Sequence, residues 1–272
     1  MLKQRVLVAV VLLPIGIALI FAGGLAYLAM VAFFMAVAVW EYARMFAALG
    51  RRPASALMIL GALALTAARF AAGFRYDAHI IAALTLITLT YHLVDYERGA
   101  PESGTDFAVS LTGTLYLGFI GAYLVSLRQM ENGAWWVLLA LSMVWAADSG
   151  AYFAGRAWGR HKFSPRLSPK KTWEGYAAGV VTGTLVGAGL AAVFPLLAGH
   201  TIAGMIPLNA ALLGFLISTL APLGDLAESM FKRQAGVKDS GHLLPGHGGA
   251  FDRIDSWLWA GLIAHYFLTF LT

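Results

Sequence analysis

The sequence predicts an all-α integral membrane protein, a polytopic bundle of about nine transmembrane helices with its N-terminus in the cytoplasm. Hydrophobic residues make up 60% of the 272, and charged residues only 12%, about half the share of a soluble domain. Long runs lack Asp, Glu, Lys and Arg, namely 6–40, 107–127, 175–224 and 256–272. Because about 20 apolar residues cross a bilayer, these runs predict membrane spans.

The spans follow from these runs and from the residues that interrupt them. Gly23-Gly24 divides the first run, and Gly199-His200 with Pro207 divides the run of fifty over 175–224, because glycine and proline disfavour a continuous helix. We predict helices at 6–22, 25–43, 55–73, 78–94, 107–127, 134–155, 170–197, 208–228 and 252–271. Only short loops remain, so we expect two sets of helices and no soluble domain. Residues 1–130 are expected to be structural and 131–272 to carry the functional site.

Composition also excludes several classes of protein. So few charges cannot cover a soluble enzyme, a disordered tail or a nucleic-acid binder, despite the net charge of +5. The chain has no cysteine, which excludes disulfides, thiolate metal sites and cysteine nucleophiles.

Basic residues set the orientation. With the N-terminus inside, sixteen of the 19 lysines and arginines face the cytoplasm, and only Arg69, Arg75 and Arg128 face outward. Such an imbalance follows the positive-inside rule.

Polar residues in the first half are expected to be structural. Ser, Thr and Gly within Ser110–Gly121 indicate close helix packing. The acidic residues at span ends and in loops are expected to be solvated: Glu41, Asp95, Glu97, Glu102 and Asp106.

Two polar clusters follow residue 145. Asp148 lies inside the sixth predicted span, where an acid is costly unless paired or solvated. It therefore either pairs with Arg156 or serves a ligand or metal. Ser168 is expected to cap a helix that begins at Pro169. Lys170 and Lys171 beside that N-terminus make a phosphate site, or they simply anchor the span.

A third cluster is dense in both charges. Asp225, Glu228 or Ser229, and Lys232 share one helix face. Asp252 and Asp255 share another, beyond a loop rich in Gly and Pro. Carboxylates suit a hard divalent cation and the basic residues suit phosphate, which together indicate phosphoryl or nucleotidyl transfer. The alternative is a helical hairpin with surface ion pairs.

The third cluster resembles the signature of the phosphatidate cytidylyltransferase, or CDP-diacylglycerol synthase, family. The matching residues are Ser229, Phe231, Lys232, Arg233, Lys238, Asp239, Gly241, Leu244, Pro245, His247, Gly248, Gly249, Asp252, Arg253 and Asp255. Ala250 departs from the pattern, which has a larger aliphatic residue at that packing position. The segments at 148–156 and 168–175 are similar to upstream parts of the family, whereas the first 130 residues match only in hydropathy.

This resemblance implies an enzyme that makes CDP-diacylglycerol and pyrophosphate from CTP and phosphatidic acid with Mg²⁺, a second cation remaining open. It also implies a homodimer in the inner cell membrane. The topology set by the basic residues independently places all three clusters on the cytoplasmic side, where CTP is found. The expected metal ligands are Asp225, Asp252, Asp148 and Asp255, and the expected catalytic residues are Asp225, Asp252, Asp255, Lys232 and Arg253. The expected substrate-binding residues are Arg156, Lys170, Lys171, Thr172, Glu174, Arg233, Lys238, Asp239, His247, Gly248 and Gly249.

His247 is expected to position a ligand, because a phosphate monoester already supplies an anionic nucleophile near neutral pH.

Two other functions compete with this one. A CTP-dependent polyisoprenol kinase would share the membrane, the metal and the nucleotide. An ion-coupled transporter would also use intramembrane acids, but it usually places them near the midplane between repeats, and this chain shows no convincing repeat.

Overall fold

A computed structural model describes residues 2–241, 243 and 248–271, with side chains described from Val10 onward. In this part of the chain, eight helical segments are long and apolar enough to cross a membrane. They are Gly24–Ala48, Ser55–Ala72, Asp77–Glu97, Ser103–Gln129, Gly133–Trp158, Trp173–Ala198, Pro207–Gln234 and Phe251–Leu271. One further helix, Leu2–Ala22, precedes them, and its described apolar part begins at Val10. The predicted all-α, multi-pass membrane fold is confirmed.

Two of the eight segments are composite. The individual helices are α1 (Leu2–Ala22), α2 (Gly24–Ala48), α3 (Ser55–Ala72), α4 (Asp77–Glu97), α5 (Ser103–Gly113), α6 (Tyr123–Gln129), α7 (Gly133–Trp158), α8 (Trp173–Ala198), α9 (Pro207–Leu220), α10 (Pro222–Gln234) and α11 (Phe251–Leu271). A π-helical turn, Thr114–Phe119, lies between α5 and α6. Two short strands, β1 (Lys162–Ser164) and β2 (Ser168–Thr172), form an antiparallel hairpin between α7 and α8.

The chain groups into two compact units. The first unit comprises Met1–Ser126 and Phe231–Ile254, and the second comprises Leu127–Met230 and Asp255–Thr272. Helices α10 and α11 each contribute residues to both units.

Close backbone packing holds the helices of the first unit together. Gly113 leaves room for the ring of Tyr42, and Gly118 lies against the backbone of Ala62. A Cβ at Gly118 would come within 2.7 Å of the Ala62 Cα, so this approach requires glycine. The close packing predicted for Ser110–Gly121 is confirmed.

A buried ion pair fixes the turn between α3 and α4. Arg69 is fully buried and pairs with Asp77. Its Nη1 donates a hydrogen bond to Ser126 Oγ at 2.9 Å. The guanidinium carbon lies 3.9 Å from the ring centroid of Phe74 and 4.6 Å from that of Tyr123. The charge is therefore compensated by an anion, a hydroxyl and several aromatic rings.

A row of glycines packs the helices of the second unit. Every fourth residue of α8 from Gly175 to Gly187 is glycine. A Cβ at Gly179 would lie 2.8 Å from the carbonyl oxygen of Ala147 in α7, and one at Gly187 would lie 2.9 Å from that of Ala210 in α9. Helices α7, α8 and α9 thus meet backbone to backbone, as small residues allow in membranes.

The predicted interruptions fall where the sequence places them. Gly23 and Gly24 adopt φ values of +62° and +51° between α1 and α2. Gly199 adopts φ +72° at the end of α8, and Pro207 is the first residue of α9. Positive φ is accessible to glycine at little cost, whereas proline suits a first helical turn.

The predicted start of the seventh helix is wrong. The sequence places it at residue 170 behind a Ser168 cap, but α8 begins at Trp173, because the preceding residues pair as β2 with β1. The backbone groups that a helix would use are satisfied by the hairpin. The N-cap is Thr172, whose Oγ1 accepts a hydrogen bond from Gly175 N at 3.2 Å.

The expectation that the acidic residues of the first half are solvated is wrong for two of them. Glu41 and Asp106 are each only 1% exposed, whereas Glu97 and Glu102 are exposed as predicted. A buried carboxylate needs hydrogen-bond donors, and those of Glu41 lie about 200 residues further along the chain.

Candidate active site

A cavity of about 520 Å³ lies in the second unit. It is formed by the last turns of α7, the β1–β2 hairpin, the start of α8 and the residue that begins α10. Five predicted site residues line it: Asp148, Arg156, Lys170, Lys171 and Thr172. The structure thus brings together the first two polar clusters of the sequence.

Glycines let the walls of this cavity approach each other. A Cβ at Gly175 would lie 3.1 Å from the Cα of Gly155 and 3.1 Å from Thr172 Oγ1. A Cβ at Gly159 would lie 2.7 Å from the same hydroxyl. The end of α7 and the start of α8 are therefore close enough to share one cavity.

Several lining residues are absent from the predicted set. Lys162 adds a fourth cation beside Arg156, Lys170 and Lys171. The available signal for Lys162 is the basic run that surrounds it in the sequence, at residues 156–166.

Aromatic rings form another part of the wall. Phe163 and Tyr176 line the cavity together with Tyr152. The rings of Phe163 and Tyr176 are stacked, with centroids 4.9 Å apart and planes 15° apart. This pair depends on the hairpin, which the sequence does not predict.

Three carboxylates of the second unit converge. Asp225, Glu228 and Asp255 each offer an oxygen, and these oxygens lie within 4.8 Å of one another. Gly224 allows this close approach, because a Cβ at this position would collide with the carbonyl group of Asp255. Two predicted ligands, Asp225 and Asp255, are thus together, and the third member is Glu228.

Asp225 links the carboxylates to the cavity. Its carboxylate forms an ion pair with Lys171, which lines the cavity. The Ser229 hydroxyl donates to Asp225 Oδ1 at 3.4 Å. A candidate cation ligand and a candidate phosphate-binding lysine therefore lie side by side.

A second polar network, in the first unit, contains Lys232 and Asp252. Lys232 Nζ donates to Asp252 Oδ1 at 2.6 Å, and both side chains are at least 90% buried. The backbone N–H groups of Ser240 and Gly249 both donate to Asp252 Oδ2 at 2.8 Å. Gly248, at φ +83°, leaves room for the same carboxylate.

Glu174 has a local partner set. Its carboxylate accepts hydrogen bonds from the backbone N–H groups of Arg160 and His161, at 3.1 and 3.2 Å. Its Oε1 also lies 2.6 Å from His161 Nδ1. Glu174 thus orders the turn after α7, and it is not among the described residues that line the cavity.

The remaining predicted residues are exposed or lie outside the described part of the chain. Four are exposed: Arg233, Lys238, Asp239 and Arg253. His247 lies outside the described residues, as do Leu244 and Pro245 of the signature.

Comparison with known proteins assigns the chain to a family. The model of the cytidylyltransferase family matches residues 3–271. A phosphatidate cytidylyltransferase from Synechocystis is 35% identical over 295 residues, which cover 98% of this chain and 97% of that protein. One from Pseudomonas aeruginosa is 36% identical over 261 residues, covering 94% and 93%. One from Haemophilus influenzae is 45% identical over 145 residues, about half of each chain (52% and 48%). The chain therefore belongs to the cytidylyltransferase family.

Proposed function

We propose that this protein transfers a cytidylyl group from CTP to phosphatidic acid, giving CDP-diacylglycerol and pyrophosphate. The observation that carries the proposal is the cavity lined by Arg156, Lys162, Lys170 and Lys171 in a membrane protein of this family. Four cations suit the negative charge of a triphosphate. The lipid substrate explains why the site belongs to a membrane protein.

The converging carboxylates are our candidate site for Mg²⁺. Asp225, Glu228 and Asp255 supply only oxygen donors, and three such donors within 4.8 Å of one another fit a hard divalent cation. When bound, Mg²⁺ would neutralise charge on the phosphate oxygens. Asp148 lies in the cavity wall and is proposed as a further ligand or as a residue that orders one.

Asp252 is assigned differently from the other acids. Its carboxylate already accepts hydrogen bonds from Ser240, Gly249 and Lys232. In our proposal Glu228 therefore takes the metal-binding place that the sequence assigns to Asp252. Asp252 and Lys232 remain proposed catalytic residues, as the resemblance to the family signature implies.

The chain's own groups account for the transfer step. A phosphate oxygen of the lipid forms a bond to the α-phosphorus of CTP. At the same time, the bond between that phosphorus and the oxygen that bridges it to the β-phosphorus breaks, and pyrophosphate leaves. The lipid phosphate is already anionic near neutral pH, so no side chain has to remove its proton. Lys170 and Lys171 instead orient the triphosphate and neutralise charge on the departing pyrophosphate.

We propose that the cavity faces the cytoplasm, and that the protein resides in the inner cell membrane. The support is the distribution of the basic residues, which follows the positive-inside rule, together with the cytosolic supply of CTP. A homodimer is part of the proposal. Light scattering of the protein in detergent tests the oligomeric state.

Labelled CTP tests the reaction itself. The purified protein is incubated with phosphatidic acid, Mg²⁺ and CTP labelled at either the α- or the γ-phosphorus. We expect the α-label in the lipid and the γ-label in pyrophosphate. A lipid kinase would instead place the γ-label in the lipid and release CDP. Solute flux in proteoliposomes without turnover would support a transporter.

A matched pair of variants tests the carboxylates. Asp225→Asn is expected to lower turnover at least a hundredfold at saturating Mg²⁺, because a carboxylate ligand is lost. Glu97→Gln, an exposed acid at the end of α4, is the control and is expected to behave as the wild type. If the folded Asp225→Asn protein turns over as fast as the wild type, Asp225 is excluded as a ligand of Mg²⁺.

A further inference from the structure

Glu41 places a buried carboxylate at the start of α11. Its Oε1 accepts a hydrogen bond from Ala250 N at 3.1 Å, and its Oε2 accepts one from Phe251 N at 2.9 Å. The first N–H groups of a helix have no partner within the helix. A carboxylate there also interacts favourably with the helix dipole. Glu41 of α2 therefore caps a helix that lies more than 200 residues later in the sequence.

Ser240 connects Glu41 to Asp252. The Ser240 hydroxyl oxygen lies 2.9 Å from Glu41 Oε2 and 2.9 Å from Asp252 Oδ2. A hydroxyl carries one proton and two acceptor sites, so it donates to one carboxylate at a time. Since Lys232 Nζ donates to the other Asp252 oxygen at 2.6 Å, a continuous network runs from Glu41 to Lys232.

Two glycines are explained by Glu41. A Cβ at Gly241 would lie 2.7 Å from the carboxylate carbon of Glu41. A Cβ at Gly249 would collide with both carboxylate oxygens. Because both clashes involve the functional end of Glu41, the loop before α11 is shaped around this carboxylate.

The neighbouring residue holds Glu41 in place. The Tyr42 ring packs against Phe231, with centroids 5.2 Å apart, and against Phe251, with centroids 6.5 Å apart. Phe231 directly precedes Lys232, and Phe251 directly precedes Asp252. The aromatic contacts therefore fix the backbone next to Lys232 and next to Asp252, the two members of the ion pair.

We propose that Glu41 is a positioning residue for the transfer reaction, acting through Ser240 to fix Asp252 and Lys232. This inference rests on the proposed function. The described hydrogen-bond partners of Glu41 are Ser240, Ala250 and Phe251, and none of the three is a proposed metal ligand. Replacing a buried ion pair by well-packed apolar side chains is often neutral or stabilising. The buried charges of this network are therefore not needed for stability, which supports a role in orientation.

The test compares kcat and KM for CTP in Glu41→Gln. The amide keeps the shape of the side chain but replaces one acceptor by a donor that faces backbone N–H groups. Misplacing a catalytic group by up to about 1 Å costs about tenfold to a hundredfold in rate. We expect kcat to fall by that factor while KM for CTP stays unchanged, because the described residues that line the proposed triphosphate cavity include none from this network.

Ser240→Ala and the double variant decide whether the effect travels through Ser240. Ser240→Ala is expected to lower kcat by a similar factor. The double variant is expected to have a kcat no lower than that of the less active single variant, because both substitutions break the same connection between Glu41 and Asp252. Wild-type kcat in folded Glu41→Gln, or losses that multiply in the double variant, would overturn the proposal. If Glu41→Gln does not fold, folded Ser240→Ala decides alone, and wild-type kcat there overturns it.

The same assay separates this inference from the proposed function. Glu97→Gln is the control for removing an acid, since Glu97 is exposed. If the wild type forms no CDP-lipid, the proposed function fails. If the wild type is active and the Glu41 and Ser240 variants are equally active, only the role of Glu41 fails.

Discussion

Replacing Gly224 by alanine is expected to weaken the proposed metal site while the protein stays folded. An added Cβ would lie 2.9 Å from the Asp255 carbonyl carbon and 2.7 Å from Trp259 Cδ1, whereas ordinary contact begins at 3.4 Å. The carbonyl oxygen of Asp255 is closer still to the added Cβ. The start of α10 must therefore move away from α11 by about 1 Å, because packed interiors have no spare room. Overpacking costs about 1–3 kcal/mol, and replacing a helical glycine returns about 0.5–1 kcal/mol.

This displacement acts on the carboxylates that the two helices carry. Mg²⁺ requires near-ideal geometry, and a shift of about 1 Å can cost on the order of a hundredfold in rate. We expect the Mg²⁺ concentration for half-maximal pyrophosphate release to rise about tenfold to a hundredfold, with activity partly recovered at high Mg²⁺.

Gly189→Ala is the matched control for this experiment. Gly189 also lies in a helix, but a Cβ there meets nothing within 4 Å, so its Mg²⁺ titration is expected to match the wild type. The reasoning would be refuted if Gly224→Ala titrates as the wild type does. It would equally be refuted if its activity falls by a factor that added Mg²⁺ does not change.

Three further predictions concern charge and capping. Lys171→Met is expected to raise KM for CTP about tenfold or more, because a hydrogen bond to a charged group contributes about 1.5–3 kcal/mol; steady-state kinetics with varied CTP measures this, and an unchanged KM would remove Lys171 from the triphosphate site. Asp77→Ala leaves the charge of Arg69 buried and is expected to cost about 3–5 kcal/mol. Thermal unfolding in detergent checks it, and Arg69→Met combined with Asp77→Ala should recover much of the loss. Thr172→Ala removes the cap of α8 and should cost about 1 kcal/mol in the same measurement, whereas Thr172→Ser should not.

Features that depend on local composition were predictable from the sequence. The charge-free runs identify the spans, because crossing lipid requires only that each segment be apolar and long enough. The breaks at Gly23 and Pro207 follow from backbone preferences of single residues. The shared helix face of Asp225 and Glu228 follows from helical spacing alone. Helical spacing does not show that the carboxylate beside Asp255 belongs to Glu228 and not to Asp252.

Features that depend on distant residues were not predictable. Glu41 resembles any acid at the end of a span, and its donors at Ser240, Ala250 and Phe251 become visible only when the chain is folded. Ser168 followed by proline has the local pattern of a helix start. Pairing of β2 with β1 overrides that preference and moves the helix start to Trp173.

The glycine row of α8 has a consequence for how this protein can change over evolutionary time. The face from Gly175 to Gly187 meets neighbouring backbone, so even one added methyl group must displace a whole helix. The opposite face carries exposed apolar residues such as Val181 and Leu185, which many aliphatic side chains can replace. Substitutions tolerated along α8 should therefore recur with a period of about four residues, and no substitution is expected to be tolerated at the four glycines.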